Sequence, residues 1–268
     1  MSRICHKLNK SRAAFYKQGD VCLRQELDGR ILRELTLEKR KPMPRLGGKK
    51  TFHEIKAELL QMGISIGRDR YFKWLKAENL LIRPKKRFAR TTNSFHHYRK
   101  YDNKIKDLAV TRPDQVWVSD ITYLRLQKGF CYLALITDVF SRKIVGYNVS
   151  NTLEVKGALK ALGEACKRKT NSKTIHHSDR GFQYCSKDYT NLLKKHLIDI
   201  SMGEVGNCYE NALAERVNGI LKSEFNLDTT FMNINHALKA VNQSIKTYNE
   251  LRPHMAIGLQ KPNDLYAA

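Results

Sequence analysis

The chain has 268 residues, 41% of them hydrophobic, which suffices for two packed domains or for one domain with an extended arm. No apolar run approaches the roughly 20 residues of a spanning helix. The opening stretch MSRICHKLNKSRAAFYKQGD lacks the apolar segment of a secretory signal, so a cytoplasmic protein with no membrane role is expected.

Charge narrows the reading further. There are 49 basic and 26 acidic residues, a formal net of +23. Residues 1–110 hold 28 Lys and Arg against 11 Asp and Glu, net +17; the remainder holds 21 against 15, net +6. Single-sign charge on that scale, concentrated in one half, points to a polyanion and by default to nucleic acid. The cysteines at 5, 22, 131, 166, 185 and 208 contain no C-x-x-C pair, and the histidines no helical H-x-x-x-H pair. Neither a structural zinc site nor a disulfide framework is expected.

In chain order, residues 1–46 read as helical. Ile4, Cys5 and Leu8 share a face, Ser11 is a candidate cap for a second helix, and a longer helix carries Leu27, Ile31 and Leu35. The sequence KPMPRLGG then breaks the pattern. Residues 47–82 predict two helices. In TFHEIKAELLQMG, Thr51 and Glu54 form a capping-box pattern, Phe52, Ile55 and Leu59 make an apolar stripe, and Gly63 closes the helix. RDRYFKWLKAEN follows, with Phe72 and Leu75 inward and with Arg68 and Arg70 at its start. Two helices around a glycine-containing turn fit a helix-turn-helix, with Arg68 and Arg70 as DNA contacts; a plain helical hairpin has the same pattern.

Residues 83–110 read as a basic linker. Between 83 and 104 lie eight Lys and Arg and one Asp, interleaved with Phe88, Phe95, Tyr98 and Tyr101. Lys85, Lys86 and Arg87 are candidate phosphate contacts, and the aromatics can stack on bases or pack on the next domain.

From 111 to 268 the pattern is α/β. In QVWVSDITYLRL, Val116, Val118, Asp120, Thr122 and Leu124 share one strand face, and Trp117 lies on the other as a core residue. GFCYLALITDVFSRKIVGYNV predicts two strands joined by a turn at Asp138, a residue type at home in turns. A helix at 154–168, a strand at Lys173–His177 leading to Asp179, a helix at 186–195, a strand at Leu197–Ser201 and a long helix from about 208 follow. The last helix places Leu213, Val217 and Ile220 on one side and Asn211, Glu215, Asn218 and Lys222 on the other, as any surface helix does.

Asp120 is the first anomaly, because a lone carboxylate on an apolar strand face is costly unless a cation or hydrogen bonds compensate it. Asp120, Asp179 and Glu215 come from a strand, a strand end and a helix, elements that converge at one edge of an α/β sheet. Three acids in one cleft repel one another unless divalent cations neutralise them, and Mg2+, or Mn2+, suits an all-oxygen site.

The contexts WVSDIT, YLALITDVFSRKIVGY, HHSDRGFQY, GNCYENALAERVNGILKSE and YNELRPH resemble the OrfB-type transposases of bacterial insertion sequences. Those proteins belong to the retroviral-integrase superfamily, and the likeness covers nearly the whole chain. It implies a ribonuclease H-like mixed-sheet catalytic core at 111–268, with a C-terminal helical extension, behind an all-helical helix-turn-helix region. It implies that Asp120 and Asp179 are the catalytic aspartates and Glu215 the catalytic glutamate, together holding two Mg2+ or Mn2+ ions. Lys222, seven residues beyond Glu215, matches a contact to transposon-end DNA, and Gly181 is expected to let the backbone turn sharply beside Asp179. Arg252 and His254 are motif residues read as structural, as is His177. The aromatic pair common after the glutamate is replaced by Arg216 and Val217, and Glu210 stands for a commoner aspartate.

The implied activity is two-metal cleavage and strand transfer at element ends. The implied partners are DNA, further copies of the chain in a synaptic complex, and a possible upstream-frame fusion partner. Two alternatives remain open: a non-catalytic DNA-binding regulator, or a tyrosine recombinase using the H-x-x-R of His177–Arg180 with Tyr209 as nucleophile.

Overall fold

The structure, a computed structural model, describes residues 11–82, 98–169, 173–203 and 212–268. The chain divides into two compact units, one of Met1–Pro42 with Leu46–Ile82 and the other of Met43–Arg45 with Arg83–Ala268.

The first unit contains α1 (Arg12–Arg40), α2 (Gly48–Gln61) and α3 (Arg68–Ala77). The separate helices expected before residue 40 are, from Arg12 on, one continuous helix. Glycine costs a helix only about 1 kcal/mol, and no proline interrupts this stretch. Leu32, Leu35, Ile55, Leu59, Ile64, Tyr71 and Leu75 form its core. Inside it, the Thr36 and Tyr71 hydroxyls share a hydrogen bond of 2.9 Å.

One local expectation fails here. Thr51 does not cap α2, which starts at Gly48 with Gly47 before it; its hydroxyl instead donates to the Leu46 carbonyl at 3.2 Å. On α3 Leu75 is buried and Phe72 packs partly buried against the core, both as expected, beside the fully buried Tyr71. Gly63 does end α2, at φ +73°.

The second unit is built on β1 (Val116–Leu126), β2 (Phe130–Asp138), β3 (Ile144–Ser150), β4 (Thr174–Ser178) and β5 (Ile198–Met202), in the order β3-β2-β1-β4-β5. The β1–β2 and β2–β3 pairs are antiparallel, and β1–β4 and β4–β5 are parallel. The short β6 (Thr230–Phe231) runs parallel to the end of β1. This is a mixed α/β sheet. Around it lie α4 (Val155–Arg168), α5 (Phe182–Cys185), α6 (Lys187–Lys195), α7 (Ala212–Glu224), α8 (Ile234–Leu251) and α9 (Pro262–Ala267).

Central β1 is buried from Val116 to Ser119, so both its faces are covered. On one face Trp117, Ile136, Val145, Ala161, Leu162, Tyr189 and Leu193 pack together. Gly146 allows the contact of β3 with α4, because a Cβ there would sit 2.2 Å from the Ala161 carbonyl. Strand alternation turns Asp120 to the opposite face, where α7 packs. Among the described residues no helix is long and apolar enough to cross a membrane.

Candidate active site

β1 and β4 are parallel and adjacent, so Asp120 within β1 and Asp179, directly after β4, belong to one region of the sheet. Glu215 enters from the first turn of α7 and is exposed. Asp120 Oδ2 accepts from Asn218 Nδ2 of α7 at 2.8 Å, and its Oδ1 accepts from the Ile121 amide at 2.9 Å. Asp179 Oδ1 accepts from the Gly181 amide at 3.0 Å.

Electrostatics ties the three acids together. Burial pushes the Asp120 carboxyl up to about 7, and repulsion from Asp179 adds to it. The hydrogen bonds from Asn218 and Ile121 pull it down, and Glu215 raises it by the smallest of these effects. Glu215 therefore bears on Asp120 more weakly than Asp179 does, in keeping with its exposed position. Among the described residues no three His, Cys, Asp or Glu side chains form a cluster able to hold a metal ion. The donor set nonetheless suits a hard divalent cation: every group is a carboxylate, and a cation would offset both the burial and the repulsion from Asp179 that raise Asp120. Lys222 is half-buried on the same helix. Burial lowers its ammonium, and attraction to Asp120 and Asp228 partly restores it, so this cation lies within electrostatic range of Asp120.

Asn218 was legible only as part of the polar face of its helix. The structure gives it a specific task, and at 5% exposure it is buried rather than solvated. Its signal was a polar residue three positions after Glu215, one turn along the same face. Gly181 departs from expectation. Its φ of −62° and ψ of 144° suit any residue, so no sharp turn demands glycine there. The reason is space: a Cβ would lie 3.0 Å from Asp179 Oδ1 and 3.2 Å from Gln183 Oε1.

The remaining motif residues are staples of the fold. Asp138 accepts from the Ser141 amide and hydroxyl at 2.8 and 2.6 Å and from the Asp114 amide at 2.9 Å, closing the β2–β3 turn. Asp114 in turn accepts from Trp117 Nε1 and the Tyr266 hydroxyl, which ties α9 to the start of β1. Asn249 bonds both backbone groups of Ile144 at 3.0 Å. Arg252 grips Glu224 at the end of α7 with two bonds, 2.9 and 3.0 Å. His254 Nδ1 accepts from the Ala256 amide at 3.4 Å. His177 is fully buried and shares a 2.9 Å hydrogen bond with Ser201, so it cannot reach a DNA phosphate as recombinase chemistry requires.

In the first unit, Arg68 and Arg70 are exposed, and Arg68 pairs with Asp69 at 2.9 Å. Lys49, Arg68, Lys73 and Lys76 surround a groove of about 570 Å3 with Phe72 and Leu81 in its lining. The lysines were not singled out by sequence, since they lie apart along two helices. Lys85, Lys86, Arg87, Tyr209 and Glu210 lie outside the described residues.

Comparison with known proteins bears on both units. Residues 110–208 and 196–262 match the integrase core domain family. The chain is 33% identical over 264 residues to the insertion element IS600 uncharacterized 31 kDa protein of Shigella sonnei, spanning 97% of this chain and 96% of that one. It is 39% identical over 169 residues to the transposase for insertion sequence element IS629 of Shigella sonnei, spanning 62% of this chain and 56% of that one. Among solved structures, a chain of the simian T-cell lymphotropic virus intasome in complex with PP2A regulatory subunit B56 gamma aligns with a TM-score of 0.52 at 17% identity. That alignment covers 82% of this chain and 74% of the other, and it speaks to fold alone.

Proposed function

Because the chain belongs to the insertion-sequence transposases with an integrase core, we propose that it cleaves and joins DNA at the ends of such an element. Asp120, Asp179 and Glu215 are the catalytic and metal-holding groups of this reading. The observation that carries it is Asp120, a half-buried carboxyl within a strand, pushed up to about 7 by desolvation first, with Asp179 and Glu215 both adding to it.

The chemistry is phosphoryl transfer. In the first reaction a water oxygen bonds to phosphorus as the bond to the 3′ oxygen breaks; the water gives up a proton to solvent and the departing 3′ oxygen takes one from it, leaving a 3′-hydroxyl and a 5′-phosphate. In the second that hydroxyl attacks a target phosphodiester, one P–O bond replacing another. Asp120, Asp179 and Glu215 would hold two Mg2+ or Mn2+ ions, which when bound would supply Lewis-acid activation of the attacking oxygen and charge stabilisation of the leaving one.

The protein's own residues do the positioning. Asn218 fixes one oxygen of Asp120, the Gly181 amide fixes one oxygen of Asp179, and Lys222 offers a phosphate a compact charge beside them. In the first unit, α2 and α3 act as a helix-turn-helix, with Arg68, Arg70 and the lysines around the groove contacting DNA. Synapsis of two ends calls for several copies of the chain, working on DNA in the bacterial cytoplasm, alone or fused to an upstream-frame partner.

Nicking of supercoiled plasmid tests the reading. Cleavage that requires Mg2+ or Mn2+, stops with chelator and leaves no protein bound covalently to DNA supports it. Chelator-resistant cleavage through a phosphotyrosyl adduct, or DNA binding without cleavage under any divalent cation, contradicts it.

A further inference from the structure

The segment that brings the chain into the sheet unit is fastened to the sheet edge next to the acids. β5 is the edge strand, and its last residue, Met202, pairs in register with Ser178, immediately before Asp179. The Met202 amide donates to the Asp102 carbonyl at 3.3 Å, and the Lys104 amide donates to Ser201 Oγ at 2.8 Å. Ser201 Oγ also bonds His177 Nδ1 of β4, so the attachment passes through β5 to within two residues of Asp179. Tyr101 packs against the core cluster that holds Trp117, Tyr184 and Cys185. At strand spacings of about 4.8 Å, this strap runs roughly two spacings from the end of β4.

The strap carries Arg99, Lys100 and Lys104. Arg99 stacks its guanidinium 5.3 Å from the Tyr101 ring centre, and Lys104 pairs with Asp199 at 3.6 Å. Lys100 is exposed and, among the described residues, enters no ion pair. Lys100 and Arg180 both act on the Cys185 thiol, opposing the effect of Asp179 on it, so the two cations and that acid all lie within electrostatic range of one residue at this end of the sheet.

We propose that Arg99–Lys104 forms one wall of the DNA path, with Lys100 and Arg180 holding the phosphates that flank the one being cleaved. A strap fixed by two hydrogen bonds with β5 and by a half-buried tyrosine holds its lysine in a set place at this end of the sheet, which a free linker cannot do. The site binds phosphate by charge and reads no sequence. This inference rests on the reading of Asp120, Asp179 and Glu215 as the strand-cleaving centre.

The test uses the full chain and a short DNA duplex, with affinity measured by anisotropy across a salt series. Each phosphate contact removed lowers the slope of log affinity against log salt by about 0.9. Lys100→Ala is expected to lose about that much, and the double variant with Arg180→Ala about twice as much; Lys100→Arg keeps the wild-type slope. Lys160→Ala, an exposed lysine on α4, is the control and leaves the slope unchanged. Plasmid nicking by Lys100→Ala falls at moderate salt and recovers at low salt. A wild-type slope in Lys100→Ala, or an equal loss in Lys160→Ala, overturns the proposal. Asp120→Asn run in parallel separates the two readings: if it still nicks plasmid, the assignment of the acids fails, whatever the strap variants do to the slope.

Discussion

Asn218 donates its side-chain amide to Asp120 at 2.8 Å, linking the helix that carries Glu215 to the strand that carries Asp120, whose carboxyl is pushed up to about 7 by burial first. The bond both orients the carboxylate and favours its charged form. Asn218→Ala removes both effects. Since loss of a partner that orients a metal ligand typically costs about 10- to 100-fold, its nicking rate should fall by that order, and half-maximal nicking should need more Mg2+. A variant slower at every Mg2+ concentration, with the midpoint unmoved, contradicts the orienting role.

Gly181→Ala separates activity from stability. The backbone there tolerates alanine, so the added methyl acts on its neighbours, Asp179 Oδ1 at 3.0 Å first among them. Relieving that contact moves the carboxylate by a few tenths of an ångström, and since a misplacement of about 1 Å can cost about 100-fold, a loss of several-fold is expected. The melting temperature should stay near wild type while nicking drops by that order; a Gly181→Ala variant with wild-type nicking refutes the close-approach account.

Arg252 and Glu224 form a bidentate pair largely removed from solvent, with side-chain exposures of 4% and 17%. Removing one partner of such a pair costs about 3 kcal/mol or more. Arg252→Ala should show that loss in urea unfolding. Arg252→Lys should recover only part of it, because lysine keeps the charge and loses the fork. Equal stability of Arg252→Lys and wild type would show that charge alone suffices.

His176 links stability to acid. It is fully enclosed, with its Nε2 hydrogen-bonded to Ser119 at 2.6 Å and to Tyr189 at 3.0 Å. Burial lowers its pKa to about 3 from an ordinary 6.5. Between those values the unfolded chain takes up a proton that the folded one refuses. This group's contribution is therefore complete above pH 6.5 and declines by about 1.4 kcal/mol per pH unit as pH falls toward 3. Urea unfolding of wild type and His176→Gln at pH 7 and pH 5 should differ in pH dependence by that slope; parallel behaviour contradicts a neutral buried imidazole.

What the sequence disclosed follows from physical period and cost. The alternation through Val116–Leu124 located β1, and a carboxylate on that face marked Asp120 as needing compensation. Strand and helix bounds from Phe130 to Met202 lie within about two residues of expectation, as the usual uncertainty of element ends allows. Long-range partners were not legible. Nothing in the spacing says that Asn218 reaches Asp120 across 98 positions, or that Asn249 closes on Ile144 across 105. Gly181 was read from the frequent use of glycine for positive φ, yet its reason is a neighbouring oxygen that only the fold brings close. The capping pattern at Thr51 misled because Gly47 and Gly48 had already begun the helix, leaving threonine inside its first turn.

The central claim is that Asp120, Asp179 and Glu215 act as one metal-holding centre. The most direct test assays Asp120→Asn, Asp179→Asn and Glu215→Gln side by side for DNA binding and for Mg2+-dependent plasmid nicking. The expected result is near-wild-type binding with cleavage abolished in all three. Full cleavage by any one of them would contradict the claim and strike that residue from the site.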